Sequence, residues 1–296
     1  MTSDTTLQEQ VEEQASGERQ LFSTISGVFI PTLLIILGVI MYLRLGFVVG
    51  DVGLLRGWLI ILLAFAITGF TGLSLSSITT NIRVGAGGAY SMISQSLGLE
   101  VGGSISIPLF FSQALAVTMY VFGFREGWLY IFPGHPALLV DLVVFGIIFI
   151  IAFISAGLAF RIQYLILAII IGSLISVAAA AAMGSMTQPI DWLGSLSGPS
   201  PSSATVGFWA VFAIFFPAAT GIMAGANMSG NLENPRRSIP IGTMTAIGIS
   251  LVVYLALAYW LARSASTEQL LQNFTVMIEQ SAWGPIVLAG LLGATF

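Results

Sequence analysis

A chain of 296 residues that is 56% hydrophobic and 7% charged carries more apolar surface than a water-soluble core can hide, so lipid must cover it. Thirteen acidic side chains against nine arginines and no lysine leave a net charge of −4, which excludes a basic nucleic-acid surface. Without cysteine there are no disulfides and no thiol chemistry.

The chain opens on a polar, acidic stretch, residues 1–22, read as a solvated cytoplasmic tail. It lacks the basic start of a signal peptide, so the first apolar segment is expected to stay in the protein. Apolar runs of about 20 residues cross a bilayer. Seven are expected, at 27–49, 55–79, 103–124, 137–158, 162–183, 207–229 and 241–262, and an eighth begins near Trp283. The glycine-rich loop RVGAGGAYS (83–91) lacks the lysine and Ser/Thr of a phosphate loop. His135 stands alone in a loop, with no second His and no Cys to complete a metal site.

With the amino terminus inside, Arg19, Arg83, Arg161, Arg236 and Arg237 fall on the cytoplasmic side. Arg44, Arg56, Arg125 and Arg263 then fall on the other, a weak bias in the expected direction.

The first span reads GVFIPTLLIILGVIMYLRLGFVVG and the sixth GFWAVFAIFFPAATGIMAGANMSG. Each places glycine mid-span, in LGVI (37–40) and TGIM (220–223), and the sixth adds Pro217. The sixth begins five spans after the first, and an odd number reverses direction, so the units they open are inverted copies. Broken helices at matching positions of inverted repeats point to a transporter binding site. An unwound stretch exposes carbonyls that can ligate a cation, and the amides opening the next half-helix can hold an anion. The expected fold is therefore an all-α membrane protein with part of an inverted five-plus-five architecture and discontinuous helices one and six.

These two spans resemble the cation–chloride cotransporter family, within the amino acid–polyamine–organocation superfamily. So do LSLSSITTNIRVGAGGAYSMISQSLGLEVGGSI, AVTMYVFGFREGW and FFPAATGIMAGANMSGNLENPRRSIPIGT. The resemblance runs from about residue 26 to the end of the chain. It implies a potassium site made by the carbonyls of Ile35 and Ile36, the Tyr120 hydroxyl, Pro217 and Thr220. Animal members usually have asparagine where this chain has Ile35, a change that a main-chain ligand survives. It implies one chloride at the amides of Gly38, Val39 and Ile40, and another at those of Gly221, Ile222 and Met223.

The family's outer gate is an Arg and a Glu, here Arg44 and Glu126. Arg44 lies six residues past Gly38 and Glu126 six past Tyr120, each about 9 Å along its helix. Both odd-numbered spans climb toward the same face, so the two charges reach one depth and pairing is expected. Arg125, beside Glu126, is expected to turn toward headgroups instead.

The expected partners are chloride, potassium, sodium as a candidate second cation, and the lipid bilayer. A second copy of the chain is a candidate partner, and no cofactor or metal beyond the alkali cation is implied. Three units are expected: the tail (1–22), a first five-helix repeat (23–185) and a second repeat (186–296) that stops inside its third span, at LAGLLGATF. This marks a piece of a longer transporter, not expected to transport alone. An amino acid carrier of the same superfamily would use the same breaks, and a scaffold or regulatory fragment is a further alternative. An intramembrane enzyme would need paired catalytic groups at mid-depth, which the spans lack.

Overall fold

The computed structural model describes residues 21–82, 87–154, 156–196 and 207–295, with side chains undescribed at 154–161. Most of the acidic tail, with Arg19, and the loop residue Arg83 lie outside that description. The described chain is helical almost throughout, as the run of apolar segments dictates: in lipid a spanning backbone must satisfy its own hydrogen bonds.

A π-helical turn, Ile25–Phe29, leads into α1 (Ile30–Ile36), and after a break the span resumes as α2 (Val39–Leu43). Next comes α3 (Leu45–Asn81), which is two helices meeting at Gly53, where φ is 75°. The next elements are α4 (Gly88–Leu97), α5 (Leu99–Ile131), α6 (Ala137–Ile154) and α7 (Ala156–Ala182). The sixth span comprises α8 (Phe208–Phe215), a 3-10 turn (Phe216–Ala219) and α9 (Met223–Asn227). Beyond it are α10 (Pro235–Ser264), α11 (Thr267–Gln272), α12 (Val276–Gln280) and α13 (Gly284–Gly293).

Among the described residues, six stretches are long and apolar enough to cross a membrane: Ile25–Leu43, Leu45–Asn81, Leu99–Ile131, Ile162–Ala182, Phe208–Asn227 and Pro235–Ser264. The fourth expected span, 137–158, is the shorter helix α6, whose 18 residues still reach about 27 Å at 1.5 Å each. The eighth begins where expected, as α13.

Two ends of the molecule are recognisable. At one, Phe22 N donates to Asn231 O (2.8 Å) and Glu233 N to Phe22 O (3.1 Å), and the Thr24 and Ser238 hydroxyls share a hydrogen bond of 2.8 Å. The start of span one thus sits on the turn before α10 and on the first residues of that helix, which include Arg236 and Arg237. At the other end, Leu54 N bonds Asp191 O (2.8 Å) and Leu196 N bonds Asp51 O (2.9 Å). Gly53 and Gly194, both at positive φ, abut there, and a Cβ on either would run into the other's backbone. Arg56 donates to the Leu193 carbonyl, and Arg263 to those of Gln188 (2.7 Å) and Met186 (2.9 Å). Arg236 and Arg237 thus lie at one end and Arg56 and Arg263 at the other, the division expected for these four. Span one forms the centre of the fold, whereas the helix of Tyr120 is almost wholly at the surface, with Phe110, Phe111 and Leu115 exposed.

Candidate functional site

The helix of span one stops at Ile36. Leu37 (φ −82°, ψ 31°) and Gly38 (φ −81°, ψ −159°) leave helical space before Val39 re-enters it. Span six breaks more widely. Pro217 sits in the 3-10 turn, Thr220 is extended (φ −91°, ψ −177°), and Gly221 takes φ 97° before the helix restarts at Met223. Leaving the helix frees main-chain groups that would otherwise be paired, and each must find another partner.

Several partners are side-chain hydroxyls. The Tyr254 hydroxyl, fully buried, donates to the Ile36 carbonyl at 2.7 Å. Thr68 donates to the Ala219 carbonyl at 2.8 Å. Pro217 O accepts from the hydroxyl of Thr220 (2.7 Å) and from its amide (3.2 Å). Gly38 O accepts from Met41 N and Gly221 O from Ala224 N, each bond opening the resumed helix.

The two breaks pack on each other. A Cβ at Gly221 would run into the Ile35 side chain, and one at Gly38 would lie 3.6 Å from Tyr120 Cε1. Spans one, three and six thus converge on a single place.

A cavity lies on each side of that place. One, of about 380 Å³, is lined by Leu34, Ile35, Tyr120, Gln163, Ala224 and Asn227. The other, of about 510 Å³, is lined by Val39, Ile40, Arg44, Met119, Glu126 and Pro217. The first takes residues ahead of the break in span one and beyond the break in span six; the second takes the converse. Since the two spans run in opposite directions, the two cavities lie toward opposite ends of the molecule, on either side of the breaks.

The expected site residues therefore gather around one locus but do not share one cavity. Ile35 and Tyr120 face the first cavity; Val39, Ile40, Pro217, Arg44 and Glu126 face the second. Ile36, Gly38, Thr220, Gly221, Ile222 and Met223 line neither.

The two charges at the mouth of the larger cavity are not paired with each other. The Arg44 guanidinium lies 4.5 Å from the centre of the Phe274 ring. Glu126 is 3.7 Å from Arg125, which also makes a closer 2.9 Å bond to Asp141 on α6. Sequence spacing turned Arg125 toward headgroups; its long arm instead reaches a carboxylate on the neighbouring helix, and Glu126 sits within range.

Sequence reasoning also missed Tyr254 and Thr68. Their signal was a hydroxyl midway along each span that follows a broken one, 33 residues past Gly221 and 30 past Gly38.

Comparison with known proteins covers the same region. A family model described as amino acid permease matches residues 27–296, which includes both breaks and Tyr120. Solute carrier family 12 member 1 of Mus musculus is 35% identical over 97% of this chain and 31% of its own length. Solute carrier family 12 member 9 of Danio rerio is 33% identical over 92% of this chain and 35% of its own length. Solute carrier family 12 member 2 of Homo sapiens is 38% identical over 80% of this chain and 21% of its own length. The chain spans about a third or less of the curated relatives it matches.

Proposed function

The chain belongs to the amino acid permease family of multi-pass membrane transporters, and from that premise we propose that it forms the ion-binding part of a carrier that moves chloride together with a monovalent cation by alternating access. The observation that carries this is the meeting of two broken helices, with a cavity on either side of them.

The chemistry follows from what the breaks present. Backbone carbonyls can replace the hydration shell of a potassium ion. In this reading the cation is held by the carbonyls of Ile35, Ile36 and Pro217 and the hydroxyls of Tyr120 and Thr220. A carbonyl has two lone pairs, so the bond from Tyr254 leaves Ile36 O one pair for an ion, whereas Pro217 O, which accepts from both the hydroxyl and the amide of Thr220, takes an ion by releasing one of those two bonds. Chloride is held at the starts of the resumed half-helices, by the amides of Gly38, Val39 and Ile40 and those of Gly221, Ile222 and Met223, where the local dipole favours an anion. Binding both ions at adjoining breaks cancels charge that neither could carry alone through an apolar interior. Coupled movement is the consequence.

Residues 23–185 then supply the first repeat and 186–296 the available part of the second, with the amino terminus cytoplasmic. Closure of the larger cavity brings Arg44 to Glu126. The partners are chloride, potassium and sodium ions, the bilayer, and a second copy of the chain.

An amino acid carrier is the alternative, favoured by the description of the matching family model. It would set a substrate carboxylate on the same amides. The Tyr120 hydroxyl beside the first break, with the resemblance to cation–chloride cotransporters across FFPAATGIMAGANMSG, favours inorganic ions. Uptake by the full-length transporter separates the two. Labelled rubidium uptake that requires external chloride is expected, and labelled amino acid uptake without it would favour the alternative.

A further inference from the structure

The two breaks are braced in a matched and crossed way. Ile36 stands two residues ahead of Gly38, and Ala219 two residues ahead of Gly221. Each of these carbonyls lies in the protein interior and accepts a hydrogen bond from a buried hydroxyl. The donor to the first break, Tyr254, comes from the span that follows the second break. The donor to the second, Thr68, comes from the span that follows the first. Each hydroxyl therefore crosses to the other unit, and the two bonds, at 2.7 and 2.8 Å, fall on carbonyls at equivalent positions in the two halves.

Nothing in local helix chemistry calls for this. A threonine inside a helix ordinarily turns its hydroxyl onto its own backbone four residues back, as Thr71 does to Ile67 and Thr79 to Leu75. Thr68 reaches a different span instead. Tyr254 is fixed by its surroundings: its ring lies 5.6 Å from that of Phe65 and 5.4 Å, edge to face, from that of Phe215. A ring held between aromatics on α3 and α8 leaves its hydroxyl one direction, toward the break.

We propose that Tyr254 and Thr68 are paired positioning residues of the ion site, each holding the carbonyl two residues ahead of a break glycine so that the backbone beside it is oriented toward the ions. The role rests on the reading of the breaks as that site. Neither hydroxyl touches an ion. Tyr254 fills one lone pair of Ile36 O and so directs the other, while Thr68 fixes the turn from which Pro217 and Thr220 are presented. Because the braces cross, the two breaks also keep a constant relation to one another as the cavities open and close.

The test is labelled rubidium uptake by the full-length transporter, corrected for the amount at the cell surface, measured across external cation and chloride concentrations. Tyr254→Phe keeps the ring and removes only the brace, and Thr68→Val does the same at the second break. Each is expected to raise the cation concentration for half-maximal flux at least threefold while maximal flux changes less than twofold. Thr68→Ser, which restores the donor, is expected to return the wild-type value. Tyr42→Phe removes an equally buried hydroxyl, one bonded to the Ser173 hydroxyl at 3.0 Å and to neither of the two braced carbonyls, and is expected to leave half-saturation unchanged.

A shift in Tyr120→Phe with none in Tyr254→Phe or Thr68→Val would overturn the braces and leave the ion site standing. No shift in any of the three would overturn both. Equal effects of Tyr42→Phe and Tyr254→Phe, or of Thr68→Ser and Thr68→Val, would reduce the braces to packing and overturn their positioning role. If Tyr254→Phe fails to reach the surface, the comparison of Thr68→Ser with Thr68→Val decides.

Discussion

Tyr120 is half-buried, borders the smaller cavity and places its ring edge against the first break. Its hydroxyl is the one side-chain ligand that the proposed cation site draws from the third span. Tyr120→Phe removes that oxygen and little else. Losing one polar contact here costs about 1 kcal/mol, the low end for a partly exposed group, or about a fivefold rise in half-saturating cation. Potassium-dependent flux with unchanged half-saturation would remove Tyr120 from the site. The charges at the other cavity invite a second substitution. Asp141 holds Arg125 at 2.9 Å against 3.7 Å for Glu126, so Asp141→Asn leaves Glu126, among the described residues, as the carboxylate beside Arg125. A partly exposed ion pair is worth up to about 1 kcal/mol, enough to slow the proposed meeting of Glu126 with Arg44. Maximal flux is expected to fall up to about fivefold with half-saturation unchanged; unaltered flux would show that Arg125 does not compete for Glu126.

Element by element, the breaks were the most legible feature, because Gly38, Gly221 and Pro217 announce them where lipid should demand unbroken helix. The kink at Gly53 falls in the gap between the apolar runs 27–49 and 55–79, which showed that the chain turns there but not the left-handed glycine that makes the turn. What no local pattern could show was which distant groups would satisfy the freed carbonyls. Tyr254 and Ile36 are 218 residues apart and Thr68 and Ala219 are 151 apart, so their pairing depends on how spans stack. The same holds for Arg125, whose direction was read from helix geometry while its partner, Asp141, sits on another helix. The split of the ion site between two cavities was likewise invisible, since sequence gives order along a span and not which way each residue faces. Gly221→Ala tests the second break as an element. It forces a side chain into φ 97° and against Ile35, and strain plus overpacking amount to about 2–5 kcal/mol. A lowered melting temperature of the purified full-length protein is expected, and Ile35→Ala in the same chain should recover the overpacking but not the strain. Full recovery, or no loss at all, would show that the break does not require its left-handed glycine.

At the scale of the whole molecule, the two cavities that flank the breaks lie toward opposite ends, an arrangement suited to exposing one site to each side in turn. The chain contains no cysteine, so a single introduced thiol in this region reports one position. Ile214→Cys lines the larger cavity and Ile148→Cys the smaller. Changing the ions is expected to make one react faster with a water-soluble thiol reagent as the other slows. Parallel changes at both would contradict alternation. The central claim is narrower: backbone at the two breaks binds the ions. It is tested most directly by a diffraction structure of the full-length transporter in rubidium bromide, with both ions located by anomalous scattering. The expected result is rubidium within ligand distance of the Ile35 and Ile36 carbonyls and the Tyr120 hydroxyl, with bromide beside the amides at 38–40 or 221–223. Breaks that stay empty at saturating salt, or ions bound only elsewhere, would contradict the account.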